Sequence, residues 1–486
     1  MQNLQLSQTK KNSSKQEEQK KEEETSKNED KQYQQIIKDN LNNQELQNAY
    51  IEILNQEGIR FAQIGTLYQL QEHLNQMLPK SYAFNEDEIE YQRRFAEEDE
   101  EEINNNYKED NREYIKDEEE VQNQIIEFDN SLVSQFSQSN YKSNVKNIQQ
   151  AKIYDRTFVS KGQYIEIFRV KEDNENQDNL EHLCQLPIIK GLDGQSFEPR
   201  KILLQDEDTK ILLLNELEQK KIYYYDIESG KIIQEFKCNE NTVQDFAPQQ
   251  KHPENTCFYG INSKNIFLMD PRKAEGKATS DVVQKSKIYD QNNKFTCVQS
   301  NEKGNFVIGS EDGSIRLFSE IGKMAKNKFV GFGDPILSID TSKDLKWILA
   351  TCKTYLILLP SYSAKDQQKD LYNNKVNYQD RRIPKKLTLN QEDLKALMVN
   401  QIGFTSAKFD DSINSLERFI VTSIGNFTVV WDFQKIIKGV KDCYEITRSD
   451  EIIQCAEFKF NSENKIFSAS KSKLEVQKIH KSKKKN

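Results

Sequence analysis

Histidine is scarce in this chain: four in 486 residues, at His73, His182, His252 and His480. None falls in an HxxxH or HExxH spacing, so the common zinc and metalloprotease ligand patterns are excluded. Seven cysteines stand at 184, 238, 257, 297, 352, 443 and 455, with no CxxC among them. Most lie inside strand-like stretches such as Phe295-Thr-Cys297-Val298, which reads as buried reduced thiols rather than a disulfide framework. No GxSxG elbow and no Walker sequence occurs. Gly331-Phe-Gly333 lacks the third glycine of a dinucleotide loop, and Pro335 follows close behind, so the pair reads as a turn. Long apolar runs are missing too. The longest, 347–359, is interrupted by Lys353 and is too short to span a bilayer. The first fifteen residues are polar and offer no signal peptide. The expectation is a soluble intracellular protein with no catalytic residues, metal or cofactor.

Proline and glycine are absent in a second, local sense. One of nine prolines and two of seventeen glycines lie before residue 151. That stretch carries 17 Lys+Arg against 31 Asp+Glu, whereas the remainder carries 52 against 47. Residues 1–40 are polar and of low complexity, which predicts disorder. Over 41–80 a helical period runs through Leu46, Tyr50, Ile53, Phe61, Ile64, Leu67, Leu70, Leu74 and Met77, predicting short helices. Residues 81–150 read as an acidic linker, with unbroken acidic blocks at 97–102 and 117–120.

What the rest of the chain has in abundance is a hairpin. FVIGSEDGSIRLFS at 306–319 sets an apolar run and an alternating strand on either side of an Asp-Gly turn. The figure recurs at 211–227, 257–272 and 418–433, with weaker copies at 157–169, 347–360 and 465–479. Successive copies lie 41–57 residues apart, save one gap of 72. A period of about 40–45 with hairpins is the signature of propeller blades. The expectation is therefore an all-β chain: a β-propeller over 151–480, preceded by an acidic, disordered or helical arm. Seven blades are expected, or six if 157–169 is only a closing strand. A segment around 153–160 is expected to close the ring. Residues 361–401 read as a large insertion with a short capped helix at Asn390, and 481–486 as a solvated basic tail.

Arg272, Arg316, Lys353 and Lys408 each stand within or beside a strand of a different blade. Arg381, Arg382, Lys385 and Lys386 cluster on the insertion. These eight form the candidate interaction surface, for an acidic peptide or a phosphate group. Cross-strand ion pairing is the alternative use of the same residues.

The blades look WD-repeat-like, although only Trp431-Asp432 keeps the WD dipeptide and no GH dipeptide occurs. LLLNELEQKKIYYYDIESGKIIQEFK, IFLMDPR, NEKGNFVIGSEDGSIRLFSEIGKMAK, GDPILSIDTSKDLKWILATCKTYLILL and FIVTSIGNFTVVWDFQKIIKGVKDCYEI, in that order, resemble the vacuolar import and degradation protein 27 family. The resemblance covers about 154–479, with ATCKTYL its most specific part. It implies a WD-repeat-like propeller, cytoplasmic and sometimes nuclear, with no catalytic residues to carry over. Fungal members place a pleckstrin-like domain before an acidic linker; residues 1–80 offer at most its closing helix, near 61–78. The function implied is a monomeric, non-enzymatic protein-interaction scaffold, linked by the family name to vacuolar delivery and turnover of cytosolic proteins. A nuclear propeller that binds nucleic acid or a phosphopeptide is the alternative. Against nucleic acid stands the modest net charge of the propeller and the lack of a stacking motif.

Overall fold

The computed structural model describes residues 124–137, 143–171, 178–238, 242–249, 257–274, 277–289, 294–397, 403–410, 419–459 and 464–483. The expectations for 1–80 and for both acidic blocks lie outside the described residues.

The repeated hairpins become the middle strands of seven sheets arranged as a β-propeller. Blade 1 holds Val145–Gln150, Thr157–Lys161, Tyr164–Lys171 and Asn179–Gln185. The weak copy at 157–169 is thus a full blade hairpin, and seven is the count. Blades 2 to 6 begin at the inner strands Pro199–Gln205, Asp245–Pro248, Phe295–Ser300, Ser338–Thr341 and Lys408–Phe409. Blade 7 holds Cys455–Phe458, Lys465–Ala469 and Lys473–Lys483. Blade 2 gains a fifth strand, Thr279–Asp281, which pairs in parallel with its outer strand Lys231–Lys237.

The outermost strand of blade 7 comes from the other end of the chain. Gln124–Phe128 and Leu132–Gln135 pair in turn with Lys473–Lys483, from Gln124 opposite Lys483 to Gln135 opposite Lys473. This corrects the expected closure at 153–160, a span that contributes the second strand of blade 1. It also puts three strands inside 124–150, a stretch read from sequence as linker. The physical reason is that the last blade lacks an outer strand of its own, and its long edge must be covered. Lys481, expected in a solvated tail, belongs to this edge: its ammonium lies 2.6 Å from the buried carboxylate of Asp432.

The core is divided among the seams. Seven clusters of buried apolar residues occur among the described residues, one at each blade-to-blade junction. The middle strands alternate between neighbours. Ile211 and Leu213 pack toward blade 1, Leu212 and Leu214 toward blade 3. Trp347 and Leu349 meet Val429 and Trp431 of blade 6, whereas Ile348 and Ala350 meet Val307 and Leu317 of blade 4. Period-two side chains with both faces buried give continuous apolar runs such as ILLL and WILA instead of alternation. Each fully buried Leu or Trp adds roughly 1.5–3 kcal/mol to its seam.

Topology places the turns between second and third strands, and the blade-to-blade connections, on one face of the ring. Gly331-Phe-Gly333 lies in such a connection, as the sequence reading has it. A Cβ on Gly331 would stand 2.2 Å from the Gly313 carbonyl oxygen, so the blade 4 turn and this connection touch only because both residues are glycine. The span read as one insertion is interrupted by a blade strand, Lys385–Leu387, the fourth of blade 5. Helix Gln391–Ala396 follows it. Asn390 holds the N-cap backbone position, but its side chain makes no capping bond. A second short helix, Phe433–Ile437, is capped by the Asp432 carboxylate, which accepts from Gln434 N at 2.9 Å.

A lysine-lined cleft as candidate interaction surface

The structure does not bring the eight candidate residues into one patch. Arg381, 5% exposed, donates to the carbonyls of Val376 (3.0 Å) and Lys328 (2.7 Å) and to Asn327 Oδ1 (3.1 Å), holding the excursion of blade 5 on blade 4. Arg382 is as deeply buried, its guanidinium over the Tyr362 ring. Lys385 donates to the Ile436 and Ile437 carbonyls at 2.8 and 3.1 Å, satisfying the C-terminal end of the Phe433–Ile437 helix. Lys386 lies over the Tyr355 and Phe332 rings. Arg316 is buried on Ser310 Oγ and Ser314 Oγ, both at 2.5 Å. Lys408 approaches Asp340 at 3.9 Å across the blade 5–6 seam.

Only two of the eight project outward. Arg272 is largely exposed but forks onto Asp270, at 2.9 and 3.0 Å. Its hydrogen bonds hold the Asp270 carboxyl below the usual carboxylate range. Lys353 stands exposed on the turn between second and third strands of blade 5, on the opposite face from Arg272.

A different set of cations does converge, where blade 3 meets blade 4. A cleft of about 520 Å³ is lined by Lys285, Lys303, Lys323 and Lys326 over Tyr259, Leu268 and Ile321. It shares Lys323 and Lys326 with a second hollow of about 510 Å³, to which Lys287, Met324 and Lys375 contribute. Three pieces of backbone position these side chains. The tight turn at 301–305 is folded around Asn301 Oδ1, which accepts from Lys303 N (3.1 Å) and Asn305 N (3.0 Å). Gly304 takes the left-handed conformation there (φ 76), so Lys303 is presented at the tip. The loop 319–326 is pinned by blade 3, whose Lys287 Nζ and Tyr289 hydroxyl each donate at 2.8 Å to the carbonyls of Gly322 and Lys323. Lys285 and Lys287 alternate along the outer strand Val283–Ile288.

Tyr259 ties turn and cleft together, donating to the Gly304 carbonyl at 2.7 Å and accepting from Gln249 Nε2 at 3.1 Å. Burial pushes its hydroxyl up to about 12, so it stays a donor at any working pH. The carboxylate in the cleft lining is Glu320, already paired with Lys323. Lys285, Lys303, Lys326 and Lys375 have no carboxylate partner among the described residues. Six ammonium groups facing one carboxylate make a strongly positive trough on a chain whose formal charge is −9. Sequence reasoning missed it because the six lysines are spread over ninety residues of three blades. The local signals are QKSK at 284–287 and GKMAKNK at 322–328.

One arrangement looks superficially catalytic. His182 Nε2 lies 3.0 Å from Glu166 Oε2, which also accepts from Ser137 Oγ at 3.3 Å. The carboxylate stands between serine and imidazole, where a nucleophile-activating triad has the imidazole. Glu166 is fully buried where the closing segment meets blade 1, so the trio fastens the ring. Among the described residues no group of three or more His, Cys, Asp or Glu is placed to hold a metal, and no helix is long and apolar enough to cross a membrane.

Comparison with known proteins agrees with this architecture. Residues 143–486 match the model of the VID27 C-terminal WD40-like domain. The chain is similar to vacuolar import and degradation protein 27 of Schizosaccharomyces pombe, 30% identical over 325 residues that cover 65% of this chain and 40% of that one. It is likewise similar to the Saccharomyces cerevisiae protein of the same name, 30% identical over 351 residues covering 67% and 42%. The matched part therefore spans about two-fifths of the length of the curated relatives. With its seven blades and this match over most of its length, the chain belongs to the vacuolar import and degradation protein 27 family.

Proposed function

We propose that this protein is a non-enzymatic interaction scaffold that acts as a monomer and binds proteins or peptides through the lysine-lined cleft between blades 3 and 4. The observation that carries the reading is the concentration of uncompensated positive charge in a concave site whose backbone is fixed by cross-blade hydrogen bonds. A rigid ring that presents such a site needs no cofactor or acid–base group to function. The name of the relatives supports a role in vacuolar import or degradation of other proteins, and a cytoplasmic location with access to the nucleus fits that role. Nucleic acid is disfavoured as the ligand, because Tyr259 is buried against Phe306 and the cleft offers no open aromatic face for base stacking.

The test is affinity purification of the full chain from cytosol, with mass spectrometry of what it retains. The reading expects a reproducible set of proteins that elutes as salt is raised and survives nuclease treatment. A retained set that vanishes with nuclease would overturn it.

A further inference from the structure

We infer that the cleft between blades 3 and 4 takes an extended Asp/Glu-rich segment of another protein. This rests on the scaffold reading and specifies its ligand. Two observations set the size. The hollows of about 520 and 510 Å³ adjoin through Lys323 and Lys326, so the site is a trough that runs on past a single small anion. Its lysines come from the blade 4 turn (Lys303), the blade 3 edge (Lys285, Lys287), the loop 319–326 (Lys323, Lys326) and the blade 5 excursion (Lys375).

The chemistry is set by what these groups are. All six are lysines. An ammonium is a compact point charge, whereas the guanidinium fork is the group that matches phosphate geometry in two parallel hydrogen bonds. A row of point charges reads charge density along a chain, which a run of carboxylates supplies. Between the lysines the trough is mixed, with Leu268, Ile321 and Met324 standing among Gln249, Asn305, Ser319 and Asn373. Ile321 and Ala325 pack onto the blade 3–4 core, and the Met324 side chain is 70% exposed. In an extended segment alternate side chains point to opposite sides, so acidic residues can meet the lysines while apolar ones lie on Met324 and Ile321.

This chain has an acidic block of its own at 97–102. Its next described strand, Gln124–Phe128, lies on blade 7, across the ring from blades 3 and 4. A partner in solution reaches the trough without having to span the disc, and the inference is of a partner.

The experiment is fluorescence anisotropy on the full chain with a labelled oligo-glutamate peptide, and with a phosphoserine peptide and oligo-uridylate as competitors. Lys303→Glu/Lys326→Glu is compared with Lys353→Glu, the control on the opposite face of the ring. The peptide should bind the wild type and the control alike, and the cleft variant about tenfold more weakly at low salt. Affinity should fall steeply as salt rises from about 50 to about 200 mM. If the Glu variant fails to fold, Lys303→Gln/Lys326→Gln at an unchanged melting temperature gives the same comparison with a smaller loss. No binding to the full chain, equal binding by the cleft variant, or tighter binding of oligo-uridylate or the phosphoserine peptide would overturn the inference. Affinity purification with the cleft variant separates the two levels. A retained protein set indifferent to the variant leaves a protein-binding scaffold standing but removes the cleft as its binding surface. Peptide binding by a chain that retains no protein removes the scaffold reading instead.

Discussion

Asp245 of blade 3 accepts the backbone N–H of Val298 in blade 4 at 2.9 Å, while its other oxygen holds the Lys201 ammonium of blade 2 at 2.6 Å. Asp340 repeats the device two blades on. It accepts from Phe409 N at 2.9 Å and Gln299 Nε2 at 3.3 Å, with Lys408 at 3.9 Å. Each carboxylate sits on an inner strand and is tied to the blades on both sides. Inner strands of neighbouring blades do not share a sheet, so side chains must supply these bonds to backbone donors.

It follows that Asp245→Ala should destabilise by about 1.5–3 kcal/mol, the range for hydrogen bonds to a charged group. Asp245→Asn, which keeps the shape and one acceptor, should cost less. Chemical denaturation of the two variants gives the comparison. An Ala variant as stable as wild type would mean that the seam does not depend on this carboxylate.

The closing segment should matter as much as any blade. Phe136 packs edge-on against Phe168 of blade 1 and lies under the Lys161 ammonium at 4.4 Å. Phe136→Ala should cost about 3–5 kcal/mol, as for other buried aromatic truncations. The loss should be similar to that from Trp431→Ala at the blade 5–6 seam. A melting temperature unmoved by Phe136→Ala would show that the first described strands are dispensable to the ring.

Burial pushes the thiols of Cys238, Cys297 and Cys352 up to about 12. In the unfolded chain they titrate near 8.5. The folded state then holds protons that the unfolded state has released, so stability should fall as pH rises from about 8.5 to about 12. At pH 8 a thiol reagent should modify Cys184, which is exposed, and leave Cys238, Cys257, Cys297 and Cys352 until denaturant is added. Rapid native labelling of Cys297 would contradict its burial.

The propeller was legible because its middle strands are buried on both faces. That condition writes ILLL and WILA into the sequence, each followed by a polar turn and a second apolar strand, IYYY and LILL. The closing strand was not legible. Gln124–Phe128 is five residues beside a dense acidic block, and its partner lies some 350 residues away. No local pattern records so distant a pairing.

The candidate site was legible by residue type and not by use. Arg381 and Lys385 are basic in the sequence, but the carbonyls that absorb them belong to Lys328 and Ile436, on other blades. Conversely Lys303 and Lys375 are unremarkable where they stand in the sequence. They come to line adjoining hollows only when the ring brings blades 3, 4 and 5 together.

Partners should engage the lysines between blades 3 and 4. Lysine acetylation footprinting of the full chain, purified and then in cytosolic extract, addresses it directly. Lys285, Lys303, Lys326 and Lys375 should lose reactivity several-fold in extract while Lys353 keeps its own. Protection at Lys353 with the four cleft lysines unchanged would contradict it.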